Sequence, residues 1–417
     1  MQELDHTQLP LRGVRIISIE QYGSAPFGTM ALADLGADVI KIENHETGGE
    51  MGRHVVPYKD EFGDSLFYQT FSCNKRCLCL NLKDPKGREI LERLVETADA
   101  LINNLRGDLP TKLGLDYAAL GQVKPEIVCV HLSAYGREGS RAAWPGLDYV
   151  VQAEAGYMFM SGEPDSIPTR FGLSIVDYMA GQAAALALLS GIIGARASGR
   201  GRDFDVSLYD VAMTNLSYPA TWHLTEGYEP QRLARSGHPS LVPSELYRTA
   251  DGWIFIMTNK ANFWPRLCEA LERPEWIEDP RMKSFQARYE NRQLVVDSIE
   301  DVFLSRPTSE WLRRIQGQVP CAPVYNVREA LASDIAQEMG SVQRIPHPSR
   351  GEIGLVRQAI LVDGKVLPRV AAPALGANTE EILVELGYSA AEVARLTERR
   401  VVWQAPELRT EADTKVE

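Results

Sequence analysis

The chain has 417 residues, 44% of them apolar and 24% charged, with a formal net charge of −12 at pH 7. That length predicts two lobes at roughly 100–200 residues per domain, and the acidic balance argues against a nucleic-acid binder, which needs a basic face to displace counterions from phosphates. The six cysteines, at 73, 77, 79, 129, 268 and 321, form no C-x-x-C pair and predict neither a zinc site nor a redox motif.

From the N-terminus, MQELDHTQLPLRG has no apolar segment behind a basic one, so no secretory signal is read there and a cytoplasmic location is expected. Val14 to Ile19 is a short β-branched run, followed by a Gly/Ser/Pro turn at Tyr22 to Pro26, a helical stretch from Phe27 to Leu35 and a second apolar run from Asp38 to Ile42. This is a strand–helix–strand unit, and such units build parallel sheets. The pattern continues with a strand over Arg76 to Leu82, an amphipathic helix over Pro85 to Ala98, and strands over Ala100 to Asn103 and Glu126 to Leu132. The fold class is therefore α/β. Cys77 and Cys79 alternate with Leu78, Leu80 and Leu82 at strand period and read as small buried hydrophobes. Neither G-x-G-x-x-G nor G-x-x-x-x-G-K-[ST] occurs, so no dinucleotide or P-loop site is expected.

Met179 to Ala195 is the longest apolar run. Interrupted by Gln182 and Ser190, and short of the roughly 20 apolar residues of a membrane span, it reads as a buried helix, and no membrane partner is expected. Beyond Thr214 aromatic residues and prolines thicken, and ELYRTADGWIFIMT reads as a hairpin turning at Asp251-Gly252. Helical segments then alternate with turns up to Arg314. The organisation expected is a large domain begun by residues 1–215, a smaller mixed α/β domain at 225–320, and a return to the large domain over 321–417. That return opens with a strand at Ala322 to Tyr325 and closes with a helix, Thr379 to Gly387, capped by Thr379.

Three segments could carry chemistry. Phe171-Gly-Leu-Ser-Ile-Val-Asp177 leads into an Ala-rich helix over 178–196. An acid at a strand-to-helix junction sits near unpaired N–H groups that favour its ionised form, as a carboxylate nucleophile requires. The same position also suits a plain N-cap. Cys73-Asn-Lys-Arg76 and Leu80-Asn-Leu-Lys83 place three cations around one strand, as partners for phosphates or as a solvated charged edge. Asn103-Asn-Leu-Arg-Gly107 follows the C-terminal end of a strand, where open α/β sheets bind ligands, though it equally suits a turn. The seven histidines show no metal-ligand spacing and pair with no G-x-S-x-G serine, so neither a metal site nor serine-hydrolase chemistry is expected.

The motifs LADLGADVIKIE, FSCNKRCLCLNLKDPKGREI, INNLRGDLPTKLGLDY, LSAYGREG, GLSIVDYMAGQ, SGRGRDFDVSLYD and LGANTEEILVELGYS stand in that order between residues 32 and 389. Together they resemble the family III CoA-transferases, of the formyl-CoA transferase and carnitine CoA-transferase kind, over about residues 11–402. The resemblance implies a Rossmann-like large domain, a smaller inserted domain and an intertwined, interlocked homodimer. It assigns Asp177 as nucleophile and Leu80, Lys83, Asn104, Leu105, Arg106 and Lys112 as coenzyme A contacts. Gly23 and Ser24 would form the loop facing the thioester, with Tyr135 and Arg53 also near the substrate. No metal is implied, and no cofactor beyond coenzyme A as substrate.

Members acting on formyl-CoA have a glutamine where this chain has Gly23 and a glycine run where it has SGHPSLVPSELY, so formyl-CoA and oxalate are not expected substrates. Members that racemise 2-methylacyl-CoA have a His where this chain reads Gly146-Leu-Asp-Tyr149. The implied reaction moves coenzyme A from an acyl-CoA to a carboxylic acid through an aspartyl anhydride and an aspartyl-CoA thioester. Oxyanions would be held by N–H groups at Gly23, Ser24 and the 178–180 turn. Arg53, His54, Arg137 and Arg141 point to an acyl group with a second carboxylate, as in succinyl-CoA, mesaconyl-CoA or itaconyl-CoA. Tyr22, Phe27 and Phe67 would instead suit an aromatic or aliphatic group. A racemase or isomerase, a thioesterase and a noncatalytic CoA-ester-binding subunit are the alternative readings.

Overall fold

The computed structural model describes residues 2–60 and 64–404. They fall into two units: one runs up to Ala155 and adds Gly172–Leu216 and the chain from Ile335 onward, and the other comprises Gly156–Phe171 and Ser217–Asp334.

The first unit is built on six parallel strands, β1 (Arg15–Ile19), β2 (Asp38–Glu43), β3 (Arg76–Leu80), β4 (Ala100–Asn103), β5 (Val128–Ser133) and β6 (Asp203–Ser207), in spatial order 3-2-1-4-5-6. Ile16, Ile17, Val39 and Ile40 are wholly buried, as central strands covered on both faces must be. A terminal strand, Val402–Trp403, pairs antiparallel with the outer edge of β3. Five helices bear on the argument: α1 (Ser24–Asp34), α2 (Pro85–Thr97), α3 (Asp148–Glu154), α4 (Ile175–Ser198) and α5 (Leu208–Asn215). In α2 the Asp84 side chain caps the first turn, Pro85 presets it, and Ile90, Leu91, Leu94 and Val95 form the buried stripe. Each such side chain contributes about 1.5–3 kcal/mol on burial.

Two helices start earlier than their sequence pattern predicts. α1 begins at Ser24 and not Phe27, and α4 begins at Ile175, so Asp177 lies inside its first turn and no strand precedes it. At 24 residues α4 is also long and apolar enough, by length and composition, to cross a membrane. Here one face packs on α1 and β5, while Leu186 and Ile193 on it are 66% and 69% exposed.

The second unit holds an antiparallel sheet of β7 (Ser244–Arg248), β8 (Trp253–Met257) and β9 (Cys321–Pro323), with Trp264, Tyr247, Phe303 and Trp311 in its core. The expected hairpin is present, with Arg248 opposite Trp253. The boundaries differ from those expected: the strand placed at 322–325 pairs with β8, so it completes this sheet, and the chain returns to the first unit only after Asp334. Thr379 is likewise not a cap. It lies within the helix Thr379–Glu385, and its hydroxyl accepts the Cys79 N–H at 3.1 Å, docking that helix on β3.

Candidate active site

In the order 3-2-1-4-5-6 the chain moves outward on both sides of the β1/β4 pair, so the loops leaving those strands part and open a crevice at their carboxyl ends. A cavity of about 270 Å³ lies there. Gln21, Tyr22 and Ser24 line it after β1, Asn104, Leu105 and Arg106 after β4, and Asp177 from the start of α4.

The loop after β1 is pinned on two sides. Asn104 Oδ1 accepts the Gln21 N–H at 2.9 Å, while its Nδ2 donates to Gln21 O at 2.7 Å and Ser24 Oγ at 3.1 Å. Glu50 Oε2 accepts the Tyr22 N–H at 3.0 Å, and Tyr22 is held at φ 60°, a left-handed conformation that costs a non-glycine residue on the order of 1 kcal/mol or more. Behind the loop lies a buried charge chain: Lys41 bonds Glu50 at 3.0 Å, and Lys75 bonds Glu20 at 2.6 Å. Burial pushes the Lys75 ammonium down to about 8, even with Glu20 beside it.

Gly23 faces Asp177 directly, since a Cβ on this glycine would lie 3.4 Å from Asp177 Oδ2. The Asp177 carboxyl is raised to about 7, first by burial and then by the negative charge of Asp148. This reverses the expectation that the helix end would favour its ionised form. Nor does Asp177 cap α4. Its own backbone N–H donates to Asp148 Oδ2 at 2.9 Å, so a carboxylate from α3 serves the helix start.

The expected coenzyme A contacts divide. Asn104, Leu105 and Arg106 line the cavity. Lys83 and Lys112 are exposed, and Lys112 and Arg106 both pair with Asp108, at 2.7 and 3.2 Å. Leu80 is 1% exposed with its side chain in the core, so only its backbone is left for a ligand. The 178–180 turn offers no oxyanion site because the Tyr178 N–H is bonded to Ser174 O within the helix. Gly23 and Ser24 remain suitable, since they open α1 where the first amides lack intrahelical acceptors.

Arg53, expected near the substrate, is committed to a buried ion pair, although it also lines a separate cavity of about 280 Å³. It is 3% exposed, its guanidinium holds Glu43 through two hydrogen bonds of 2.8 and 2.7 Å and lies 3.7 Å from the Tyr68 ring centroid. Burial alone would raise the Glu43 carboxyl, but Arg53 overrides it and holds it at about 2. Arg137 is bound to Asp205 and Arg141 to Glu154. Burial and then Glu154 raise the Tyr135 phenol, and its ring packs on Trp144, which itself lines the cavity. Of Tyr22, Phe27 and Phe67, Tyr22 lines the cavity, while the other two join it in an aromatic cluster with Phe71 and Tyr178. Sequence reasoning missed Glu50, Lys41 and Asp148. The signal for Lys41 was present, as a lone charge inside the apolar strand DVIKIE.

Comparison with known proteins adds a second kind of finding. A family model described as CoA-transferase family III matches residues 11–379. The chain is 30% identical to succinate–glutarate CoA-transferase of Agrobacterium fabrum, over 93% of this chain and 98% of that one. It is 30% identical to succinyl-CoA–D-citramalate CoA-transferase of Chloroflexus aurantiacus, over 94% and 98%. Among solved structures, a CAIB/BAIF family protein from Brucella suis superposes with a TM-score of 0.77 at 26% identity, covering 93% of this chain and 100% of that one.

Proposed function

The chain belongs to CoA-transferase family III, and from that premise we propose that Asp177 is the nucleophile that carries coenzyme A between two carboxylic acids. The observation that carries this reading is the placement of Asp177 against Gly23 in a cavity at the crossover of the parallel sheet. One Asp177 oxygen attacks the thioester carbonyl, the C–S bond breaks, and coenzyme A leaves as the thiolate. The thiolate then attacks Cγ of Asp177 and releases the donor acid as its carboxylate, leaving an aspartyl-CoA thioester. An incoming carboxylate reverses both steps. Backbone N–H groups at Gly23 and Ser24 would hold each oxyanion, a contribution worth about 2.7–4 kcal/mol per donor.

For the acyl group the proposal is a dicarboxylic acid monothioester such as succinyl-CoA. The relatives named for succinate, glutarate and citramalate support it, and Arg106, though paired with Asp108, lies on the cavity wall. The active unit is proposed to be a homodimer, since Leu186 and Ile193 leave α4 with an apolar exposed face.

The test is Asp177→Ala together with mass mapping of the wild type after exposure to succinyl-CoA and hydroxylamine. The variant should lose transfer, keep its fold and bind coenzyme A, and the wild-type label should sit on a peptide containing Asp177. A variant that still transfers coenzyme A, or a label elsewhere, refutes the assignment.

A further inference from the structure

Resting on the reading of Asp177 as nucleophile, we infer that Asp148 is its positioning residue: it fixes the first turn of α4, and its negative charge drives Asp177 toward the uncharged, acylated state. Asp148 opens α3 and is 3% exposed. Both of its oxygens accept hydrogen bonds, Oδ2 from the Asp177 N–H at 2.9 Å and Oδ1 from Gln152 Nε2 at 2.6 Å. Gln152 Nε2 also reaches Leu173 O at 3.3 Å, on the approach to α4. Ser174, at the N-cap position, makes no side-chain cap, so this carboxylate from another helix supplies the acceptor that the helix start lacks.

A neutral acceptor would hold the same N–H. What a carboxylate adds is charge beside a second carboxylate, and the carboxyl of Asp177 is raised accordingly. At Asp177 burial and the Asp148 charge act in the same direction. Tyr149 of α3 and Tyr178 of α4 stand beside the pair, with Tyr22 and Arg106 on the cavity wall. On the elements packed against α4, Asp34 of α1 is paired with Arg369, His131 of β5 with Asp203 of β6, and Asp205 of β6 with Arg137. On α5, Asp210 bonds Ser207.

The reaction moves charge in the direction this field favours. Before attack Asp177 is an anion beside an anion. In the anhydride its charge has gone to the departing thiolate, and in the aspartyl-CoA thioester it has gone to the released carboxylate. In both intermediates the repulsion with Asp148 is relieved, so Asp148 raises the reactivity of the free carboxylate and favours the covalent states.

The test compares wild type, Asp148→Asn and Asp148→Glu with succinyl-CoA as donor. It reads the acid limb of kcat/KM against pH and the fraction of enzyme carrying a covalent adduct after rapid quench. Asp148→Asn keeps an acceptor but not the charge, so its acid limb should move down by about one pH unit and its adduct fraction should fall several-fold. Asp148→Glu should keep the wild-type limb even where kcat drops. Asp148→Ser takes the place of Asp148→Asn, with the same readouts, if that variant does not fold. A wild-type acid limb and adduct level in the neutral variant overturn the inference. Failure of the nucleophile reading looks different: the wild type itself then forms no adduct on a peptide containing Asp177.

Discussion

Gly28 and Gly181 meet backbone to backbone, for a Cβ on Gly28 would lie 2.1 Å from Gly181 O. A Cβ on Gly181 would in turn lie 2.3 Å from Ser24 O. Neither residue is needed for a positive φ, so the requirement is for space. The close crossing of α1 and α4 sets the separation of Gly23, at the start of one, from Asp177, in the first turn of the other.

Gly28→Ala should therefore push these helices apart, lowering stability by about 1–3 kcal/mol and kcat by on the order of 10-fold or more through misplacement of the nucleophile. Urea unfolding and steady-state kinetics check both. Full activity at unchanged stability would show that the crossing can relax freely.

Asn104→Leu removes the bonds to Gln21 and Ser24 and frees the loop after β1. Its main effect should be on kcat, about 10-fold or more downward, with a smaller change in KM for the acyl-CoA. A rise in KM at constant kcat would instead mark Asn104 as a simple coenzyme A contact.

Asp177 carries a stability cost that depends on pH. Its folded carboxyl is raised from 3.8 to about 7, so the folded state holds this proton more tightly than the unfolded chain does. The penalty is full above the folded value, declines as pH falls toward 3.8, and vanishes below it. Asp177→Asn should accordingly be more stable than wild type at pH 8, by up to about 4 kcal/mol, with a smaller gain at pH 5. Denaturant unfolding at the two values measures it, and an equal gain at both would contradict the assigned shift.

Arg53→Ala should act on folding and not on donor choice, because it strands the buried Glu43 carboxylate. A loss of about 3–5 kcal/mol is expected, with the ratio of succinyl-CoA to butyryl-CoA use unchanged. A selective loss of succinyl-CoA use would restore Arg53 to the substrate.

The parallel strands were legible because each is a short apolar run bounded by Gly, Pro or Asn, and local pattern suffices for that. The roles of the charges were not. Lys75 reads in sequence as a surface cation, and only the pairing of β1, β2 and β3 brings Glu20 to it from 55 residues away. Asp148 stands out in sequence only as lying where racemising members have a histidine, since nothing local shows that its side chain serves the Asp177 N–H, 29 residues later at the start of α4. The domain boundary failed for a related reason: Cys321–Pro323 looks like any strand until its partner, β8, is known.

The terminal strand Val402–Trp403 has a consequence for how the protein is made. The outer edge of β3 is complete only when Val402 lies opposite Leu80. Asp34 waits as long for Arg369, and the Cys79 N–H for Thr379. At a synthesis rate of about 5–20 residues per second, the first unit spends tens of seconds on the ribosome with one flank of its sheet unpaired and a buried-to-be carboxylate still in water. An unpaired flank of that kind is a template for the wrong chain, so the nascent protein has to be shielded from its neighbours until nearly the last of the described residues has emerged.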